Sequence, residues 1–269
     1  MPTINGETEL YGIMGKPVTH SLSPAMHNHA FTVLGLNKVY LPFEVDDVEA
    51  ALNGFRALGV RGVSVTIPYK QSIIPFLDSI DPVAEKIGAV NTLVLRDHKI
   101  YGLNTDWIGA NQALEEKTPL EGSTILLLGA GGSARAIGFG LKDAGATIIL
   151  ASRTPATGKA LAKNLGCTWL PLDQAGTVNS DALINATSVG MNSDESPMAA
   201  EALAGIPVVM DIVYSPLSTR LLQDALQQGC QTINGLSMLL YQGAAQFKLW
   251  TGLDAPLPIM EKVLRAQLG

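Results

Sequence analysis

The segment Thr124-Ile-Leu-Leu-Leu-Gly129-Ala130-Gly131-Gly132-Ser133-Ala134-Arg135 constrains this chain more than any other. A short apolar run reads as a strand, G-x-G-x-x-A turns it, and a helical pattern follows until Gly145. Gly129 permits a tight turn, Gly131 lets backbone approach a pyrophosphate, and Ala134 lets helix and strand pack closely. The helix N-terminus points N–H groups and partial positive charge at phosphates. A glycine pattern alone is a weak signal. Here strand, helix and next strand are all in place, so the segment reads as a dinucleotide-binding βαβ unit. The next strand ends in Ala151-Ser152-Arg153-Thr154. A site for NAD usually carries an acid there for the ribose 2′-hydroxyl. An arginine in its place can pair with a 2′-phosphate and stack on adenine, which favours NADP. Ser152 and Thr154 add hydroxyl donors.

The surrounding pattern is α/β. Thr124–Leu128, Thr147–Ala151, Ala182–Ala186 and Val208–Ile212 are short apolar strands separated by helical segments, the one after Ala186 being weak. Such alternation implies a parallel sheet buried on both faces. In the first half, Leu10–Met14, Val39–Glu44 and Gly62–Ile67 read as strands. Ser23-Pro24 reads as an N-cap followed by proline at the first helical position, with Met26, Ala30, Val33 and Leu34 on one face and Gly35 as the stop. A second helix from about Asp47 carries an apolar stripe of Val48, Ala51, Leu52, Phe55 and Leu58. Thr92–Leu95 and Ile100–Leu103 suggest a hairpin, and a helix follows Asp106 to about Glu116. Two helices, Leu236–Trp250 and Ile259–Gln267, close the chain. Their apolar stripes and lack of a strand predict that they pack back on the first half.

At 269 residues, 47% hydrophobic, the chain can bury a sizeable core. Its longest apolar runs are far short of a membrane span. The start, Met-Pro-Thr-Ile-Asn-Gly, lacks the charged and apolar regions of a signal peptide. Cys167 and Cys230 form no CxxC pair, which predicts free thiols and a cytoplasmic protein. The net charge of -6 and the absence of a Lys/Arg run argue against nucleic acid, but a small anion needs only a few aimed donors.

Polar residues gather where apolar strands end. Ser21 and Ser23 flank a helix start, Thr66 and Lys70 follow a strand, Asn91 and Thr92 open the hairpin, and Asn104, Thr105 and Asp106 close it. In open α/β folds such ends form the ligand crevice. Hydroxyls, an amide, an ammonium and a carboxylate there could grip a polyhydroxy acid. Lys70 and Asp106 suit acid–base work, since hydride reduction of a ketone leaves an alkoxide that needs a proton; an ordinary surface ion pair is the plainer reading. His20, His27 and His29 lack metal-site spacing, so no metal is expected. Ser21 lacks a nucleophile elbow. Gln242 and Gln246 share a helical face that could reach a cleft, although solvent exposure is the simpler expectation. Tyr214 follows another strand end.

Together these pieces resemble the shikimate dehydrogenase family over nearly the whole chain. Gly15-Lys-Pro-Val-Thr-His-Ser-Leu-Ser-Pro24 looks like the family's substrate carboxylate loop, and Val63-Ser-Val-Thr-Ile-Pro-Tyr-Lys70 like its catalytic-lysine strand. Gly88–Thr92, Gly102–Asp106, Gly129–Ala134, Asn185–Met191 and Asn234–Gln242 complete seven motifs in family order. The resemblance implies a two-domain α/β fold. A substrate-binding catalytic domain would span 1–106, completed by helices over 236–269, and a Rossmann-type NADP-binding domain would span 107–235. The two would close over a cleft. It implies reversible NADPH-dependent reduction of 3-dehydroshikimate in aromatic amino acid biosynthesis, with Lys70 and Asp106 as the catalytic pair. Ser21 and Ser23 would bind the substrate carboxylate with Tyr214 assisting, and Thr66, Asn91, Asp106 and Gln242 the ring hydroxyls. Gly129, Ala130, Gly131, Gly132 and Ser133 would hold the pyrophosphate. Ser152, Arg153 and Thr154 would take the 2′-phosphate, and Ile212 and Gly235 would border the nicotinamide. The chain departs from the family in having Ser152 where Asn is frequent, and Lys159 as the nearest second basic residue after Arg153. Two other readings stay open: an NAD-dependent quinate/shikimate dehydrogenase, and a non-catalytic NADP-binding regulator. A monomer or homodimer is expected, with no nucleic-acid or membrane partner.

Overall fold

The computed structural model describes residues 4–268; the reading of the chain start rests partly on residues 1–3, which lie outside them. The chain divides into two compact units. One holds the chain up to Thr105 together with Gly243–Gln267, and the other holds Asp106–Gln242. Both are α/β.

In the first unit the elements run β1 (Glu9–Gly15), α1 (Ser23–Val33), β2 (Lys38–Glu44), α2 (Val48–Ala57), β3 (Gly62–Val65), β4 (Ser79–Ile80), α3 (Pro82–Ile87), β5 (Thr92–Arg96) and β6 (Lys99–Leu103). They form a mixed six-stranded sheet in the order β2-β1-β3-β5-β6-β4. β2, β1 and β3 are parallel, and β5 runs antiparallel to both β3 and β6. The β5–β6 turn is two residues, Asp97 and His98, with φ of 50° and 59°. Two left-handed residues in succession match the twist of the flanking strands.

Two details differ from the sequence expectation. The N-cap of α1 is Leu22, with no side-chain cap bond, and Ser23 is already helical. The Ser21 hydroxyl instead accepts from the Ser23 N–H at 3.3 Å. The buried stripe runs through Met26, His27, Ala30 and Phe31. At about 100° per residue its centre lies between Met26 and Phe31, which puts Val33 at the margin, while Leu34 is already the C-cap. Both are exposed. In α2, Asp47 caps the helix by accepting from the Ala50 N–H, and Leu52 and Phe55 are buried. Leu58 sits past the last turn and is exposed.

The second unit comprises α4 (Asp106–Glu115), β7 (Thr124–Leu128), α5 (Gly132–Asp143), β8 (Thr147–Ser152), α6 (Pro155–Leu165), β9 (Thr168–Pro171), β10 (Ala182–Asn185), β11 (Val208–Asp211), α7 (Arg220–Gln227) and β12 (Gln231–Ile233). Its sheet is parallel throughout, in the order β12-β11-β10-β7-β8-β9. This is the doubly wound Rossmann order, which reverses between β7 and β10 and opens a crevice at their carboxyl ends. Only a short 3-10 turn, Ala200–Leu203, lies between β10 and β11. Apolar side chains cover both sheet faces, Ile125 and Leu127 on one and Leu126 and Leu128 on the other.

Two helices, α8 (Gly235–Thr251) and α9 (Leu257–Gln267), end the chain. The boundary between units falls within α8. Its C-terminal part and α9 belong to the first unit, where α9 packs on α1. Cys167 and Cys230 are free thiols. Among the described residues no helix is long and apolar enough to cross a membrane.

Candidate functional site

In the first unit, backbone bonds lace the carboxyl ends of parallel strands to the hairpin. Thr66 donates to Met14, Lys16 to the Ile67 carbonyl, Val65 to Asn91, Val90 to Lys70, and Asn91 to Leu103, at 2.7–3.1 Å. The segments carrying Thr66, Lys70 and Asn91 are thereby tied together at the carboxyl ends of β1 and β3, and Ser21 and Ser23 follow β1 in the chain. Gly15 is required there, since a Cβ would collide with the Thr66 side chain. Ser23 and Asn91 are buried, and Ser21, Thr66 and Lys70 are half-buried.

The Asn91 carboxamide has a fixed orientation. Its oxygen accepts from the Thr105 N–H and the Thr92 hydroxyl, each at 2.7 Å, and its nitrogen donates to the Thr105 hydroxyl at 3.0 Å. A backbone N–H cannot accept, so the reverse orientation would set the amino group against the Thr105 donor. Asn104 donates to the Ala89 carbonyl at 2.9 Å. Gln246 is 1% exposed and bonds Ser64, Asn91 and Thr92. It is a core residue, not the solvent-facing one its helix spacing suggested. Helix period alone could not show this, because its partners come from distant strands.

In the second unit, Asp106 opens α4 and is buried. Gly129 has φ of +114° and donates to the Ala151 carbonyl at 2.8 Å. A Cβ there would stand 3.0 Å from the Ala186 carbonyl oxygen, so conformation and space both require glycine. A Cβ at Gly131 would meet nothing within 4 Å, and Gly131 caps α5 without a side-chain bond. The first turn of that helix therefore presents backbone donors and open space, the cradle a pyrophosphate needs.

At the end of β8, Arg153 and Thr154 are exposed, and α6 also begins without a side-chain cap. No carboxylate occupies the position a ribose 2′-hydroxyl would use. An exposed guanidinium beside an uncapped helix N-terminus suits a 2′-phosphate instead. Ser152 departs from the sequence reading. Its hydroxyl turns inward, accepting from Trp169 Nε1 at 3.0 Å and donating to the Thr154 carbonyl at 3.3 Å. Lys159 lies over the Trp169 ring, 5.1 Å from its centroid.

Ile212 and Gly235 meet through backbone, with a Cβ at 235 falling 2.6 Å from the Ile212 carbonyl carbon. Tyr214 is half-buried, and burial raises its phenol pKa. Beneath this region lies a buried network that sequence reading missed. Asp211 accepts from the Asn185 amide, the Val213 N–H and the Thr219 hydroxyl at 2.7–3.0 Å. Asn185 in turn accepts from the Thr187 N–H and hydroxyl at 3.1 and 2.7 Å. Burial raises the Asp211 pKa, opposed by its bonds to Thr219, Val213 and Asn185. The available signal was position, since Asn185 and Asp211 are polar ends of otherwise apolar strands. Gln242 is buried on α8, its amide donating to the Leu239 carbonyl at 2.9 Å. Among the described residues no cluster of three or more His, Cys, Asp or Glu side chains could hold a metal.

The model of the shikimate dehydrogenase substrate binding domain matches residues 13–93, and that of the shikimate 5′-dehydrogenase C-terminal domain matches residues 235–265. A shikimate dehydrogenase (NADP(+)) of Pyrococcus abyssi is 46% identical over 263 residues, covering 97% of this chain and 99% of its own. A crystal structure of a shikimate dehydrogenase in complex with NADP+ superposes with a TM-score of 0.94 at 42% identity, covering 99% of this chain and 98% of the other. The Thermus thermophilus shikimate 5-dehydrogenase, in complex with NADP(H) and shikimate, gives 0.91 at 39% identity, covering 97% of this chain and 100% of the other. With a relative this similar across almost its entire length, the chain belongs to the shikimate dehydrogenase family.

Proposed function

We propose that this chain is an NADP-dependent oxidoreductase that reversibly reduces 3-dehydroshikimate to shikimate. The observation that carries the reading is the pairing of two features in one chain. The first unit ties segments bearing a threonine, an asparagine and a lysine together at its strand ends, with two serines in the segment that follows β1. The second offers an uncapped α5 N-terminus and, at the end of β8, an arginine in place of an acid.

When bound, NADPH supplies the hydride. Ser21 and Ser23 hold the substrate carboxylate through their hydroxyls, with Tyr214 assisting. Thr66, Asn91, Asp106 and Gln242 bind ring hydroxyls. Hydride arrival at C3 leaves an alkoxide, and the Lys70 ammonium stabilises that charge and donates the proton to the C3 oxygen. In the oxidative direction Lys70 takes the proton back. Asp106 orients the ammonium and holds a substrate hydroxyl. Backbone from Gly129 to Ser133 receives the pyrophosphate, and Arg153 and Thr154 receive the 2′-phosphate. Ser152 supports that loop from inside through Trp169. Ile212 and Gly235 border the nicotinamide. By this reading residues up to 106, with the C-terminal helices, form the substrate domain, and residues 107–235 the NADP domain. The free thiols and the biosynthetic reaction suit a cytoplasmic enzyme, monomeric or homodimeric.

The test is NADPH appearance, followed by absorbance, with shikimate and NADP+. Turnover is expected, and kcat should fall by about 10²–10⁴-fold in Lys70→Ala with the Kd for NADP+ unchanged. A folded wild-type chain that oxidises no shikimate, or a Lys70→Ala variant with normal kcat, would refute the reading. Turnover with NAD+ equal to that with NADP+ would favour the quinate/shikimate alternative.

A further inference from the structure

The geometry points to Gln246 as a positioning residue that orients the Asn91 carboxamide through the Thr92 hydroxyl. This rests on the proposed reading in which Asn91 binds a substrate hydroxyl.

The hydrogen bonds form a chain whose direction is determined at every step. Tyr40 donates its phenol proton to Ser64 Oγ at 2.6 Å, and Ser64 donates its own proton to Gln246 Oε1 at 2.7 Å. Gln246 Nε2 then donates to Thr92 Oγ1 at 2.9 Å and to the Asn91 carbonyl at 3.1 Å. Thr92 passes its proton to Asn91 Oδ1 at 2.7 Å. A hydroxyl has one proton to give. The Asn91 carbonyl can only accept, so the Gln246 N–H groups face β5 and its oxygen faces Ser64. An amide oxygen cannot donate, so the Ser64 proton points to it and Ser64 accepts from Tyr40. Because Gln246 donates to Thr92, the Thr92 proton faces Asn91. The Asn91 oxygen is thus held by Thr92 and by the Thr105 N–H, and its amino group donates to the Thr105 hydroxyl.

All five side chains are buried. A hydrocarbon of the same length as Gln246 would fill the same space without burying an amide, so the amide is not needed for packing alone. Its distinctive property is that it turns an accepted proton at one end into donated protons at the other, which neither a carboxylate nor a hydrocarbon does.

The experiment is steady-state kinetics with shikimate and NADP+ on the full chain and on Gln246→Met, Thr92→Val, Thr92→Ser, Asn91→Ala and the Asn91→Ala/Gln246→Met pair. Gln246→Met and Thr92→Val are expected to raise KM for shikimate about tenfold, with KM for NADP+ unchanged. Thr92→Ser, which keeps the hydroxyl, should stay within about twofold of wild type. In the Asn91→Ala background, Gln246→Met should add less than about twofold, because the group it acts through is gone. A lowered Tm with unchanged KM for shikimate, or a full multiplicative effect in the double variant, would overturn the proposal. If Gln246→Met does not fold, the contrast of Thr92→Val with Thr92→Ser decides. Failure of the wild-type chain to oxidise shikimate would instead sink the functional reading, and that is seen before any variant is made.

Discussion

The Thr219 hydroxyl donates to the Asp211 carboxylate at 2.7 Å and also accepts from the Leu222 N–H at 3.4 Å, so one side chain caps α7 and ties it to the end of β11. The other Asp211 oxygen holds Val213 and Asn185. The strand ends that carry Ile212 and Tyr214 are therefore fixed by a fully buried carboxylate. Asp211→Ala leaves those donors unpaired and should destabilise the chain by about 2–4 kcal/mol. Asp211→Asn can keep every bond if the Thr219 hydroxyl reverses, so it should be milder. Burial raises the folded-state pKa above the ordinary 3.8. The protonated form thus favours folding, and that contribution is fully present below 3.8 and lost as pH rises through the raised value. Urea unfolding from pH 3.8 upward should therefore show the Asn variant gaining on wild type. A gap that does not change with pH would contradict this.

Gly129 and Gly131 should separate stability from cofactor binding. Gly129→Ala meets the Ala186 carbonyl at a φ of +114° and should lower both Tm and NADP+ affinity. At Gly131 a methyl group meets nothing within 4 Å, and φ is an ordinary -82°. Gly131→Ala should therefore leave Tm nearly unchanged. It places carbon where the pyrophosphate approaches, so the Kd for NADP+ should rise about tenfold or more. Calorimetric titration beside thermal unfolding checks both, and equal affinity in Gly131→Ala would remove that glycine from the phosphate set.

How much of this was legible in the sequence follows from how local each signal is. The β7–turn–α5 unit could be read because an apolar strand, a glycine at positive φ and a helical stripe are all encoded within a dozen residues. β9 and β12 could not. Thr168–Pro171 and Gln231–Ile233 are short edge strands, exposed or half-exposed apart from the buried Ile233, with no apolar alternation. Ser152 was read for its hydroxyl, but Trp169 on the neighbouring strand takes that group inward. Gln246 looked solvent-facing because nothing adjacent to it reveals that Ser64 and Thr92 will meet it in the core. Motifs locate backbone with special geometry, whereas the direction of a polar side chain depends on partners brought by the fold.

Arg153 should decide the choice of nucleotide. It is exposed beside the uncapped start of α6, with no acid near it in sequence to bind a ribose 2′-hydroxyl. A charge-assisted bond to a 2′-phosphate contributes about 1.5–3 kcal/mol. Arg153→Gln should therefore raise KM for NADP+ by about 10–100-fold and leave KM for NAD+ unchanged. Equal effects on the two cofactors would mean that Arg153 contacts a part they share. Ser152→Ala should act differently, lowering stability through the lost Trp169 bond with little change in the NADP+/NAD+ ratio.

His27 should make the first unit sensitive to acid. Its ring stacks on Tyr40 at 4.6 Å between centroids, with Trp250 at 5.3 Å and Phe31 and Phe247 beyond. Neither ring nitrogen has a hydrogen-bond partner among the described residues. Burial lowers its pKa from 6.5 to about 3, since a charged imidazolium has nothing there to replace water. The folded state therefore binds a proton less readily than the unfolded chain. The stability this confers is present above 6.5 and is lost as pH falls toward 3, by about 1.4 kcal/mol per pH unit within that window. His27→Phe keeps the stack and removes the titrating group. At neutral pH it should be neutral or stabilising, because an unpartnered polar ring gives way to an apolar one. Below 6.5 its unfolding free energy should fall more slowly than that of wild type. Denaturant midpoints for the two proteins across this range provide the measurement. Parallel loss of stability would mean that the ring is protonated or solvated in the folded chain, which the packing of Tyr40, Phe247 and Trp250 around it argues against.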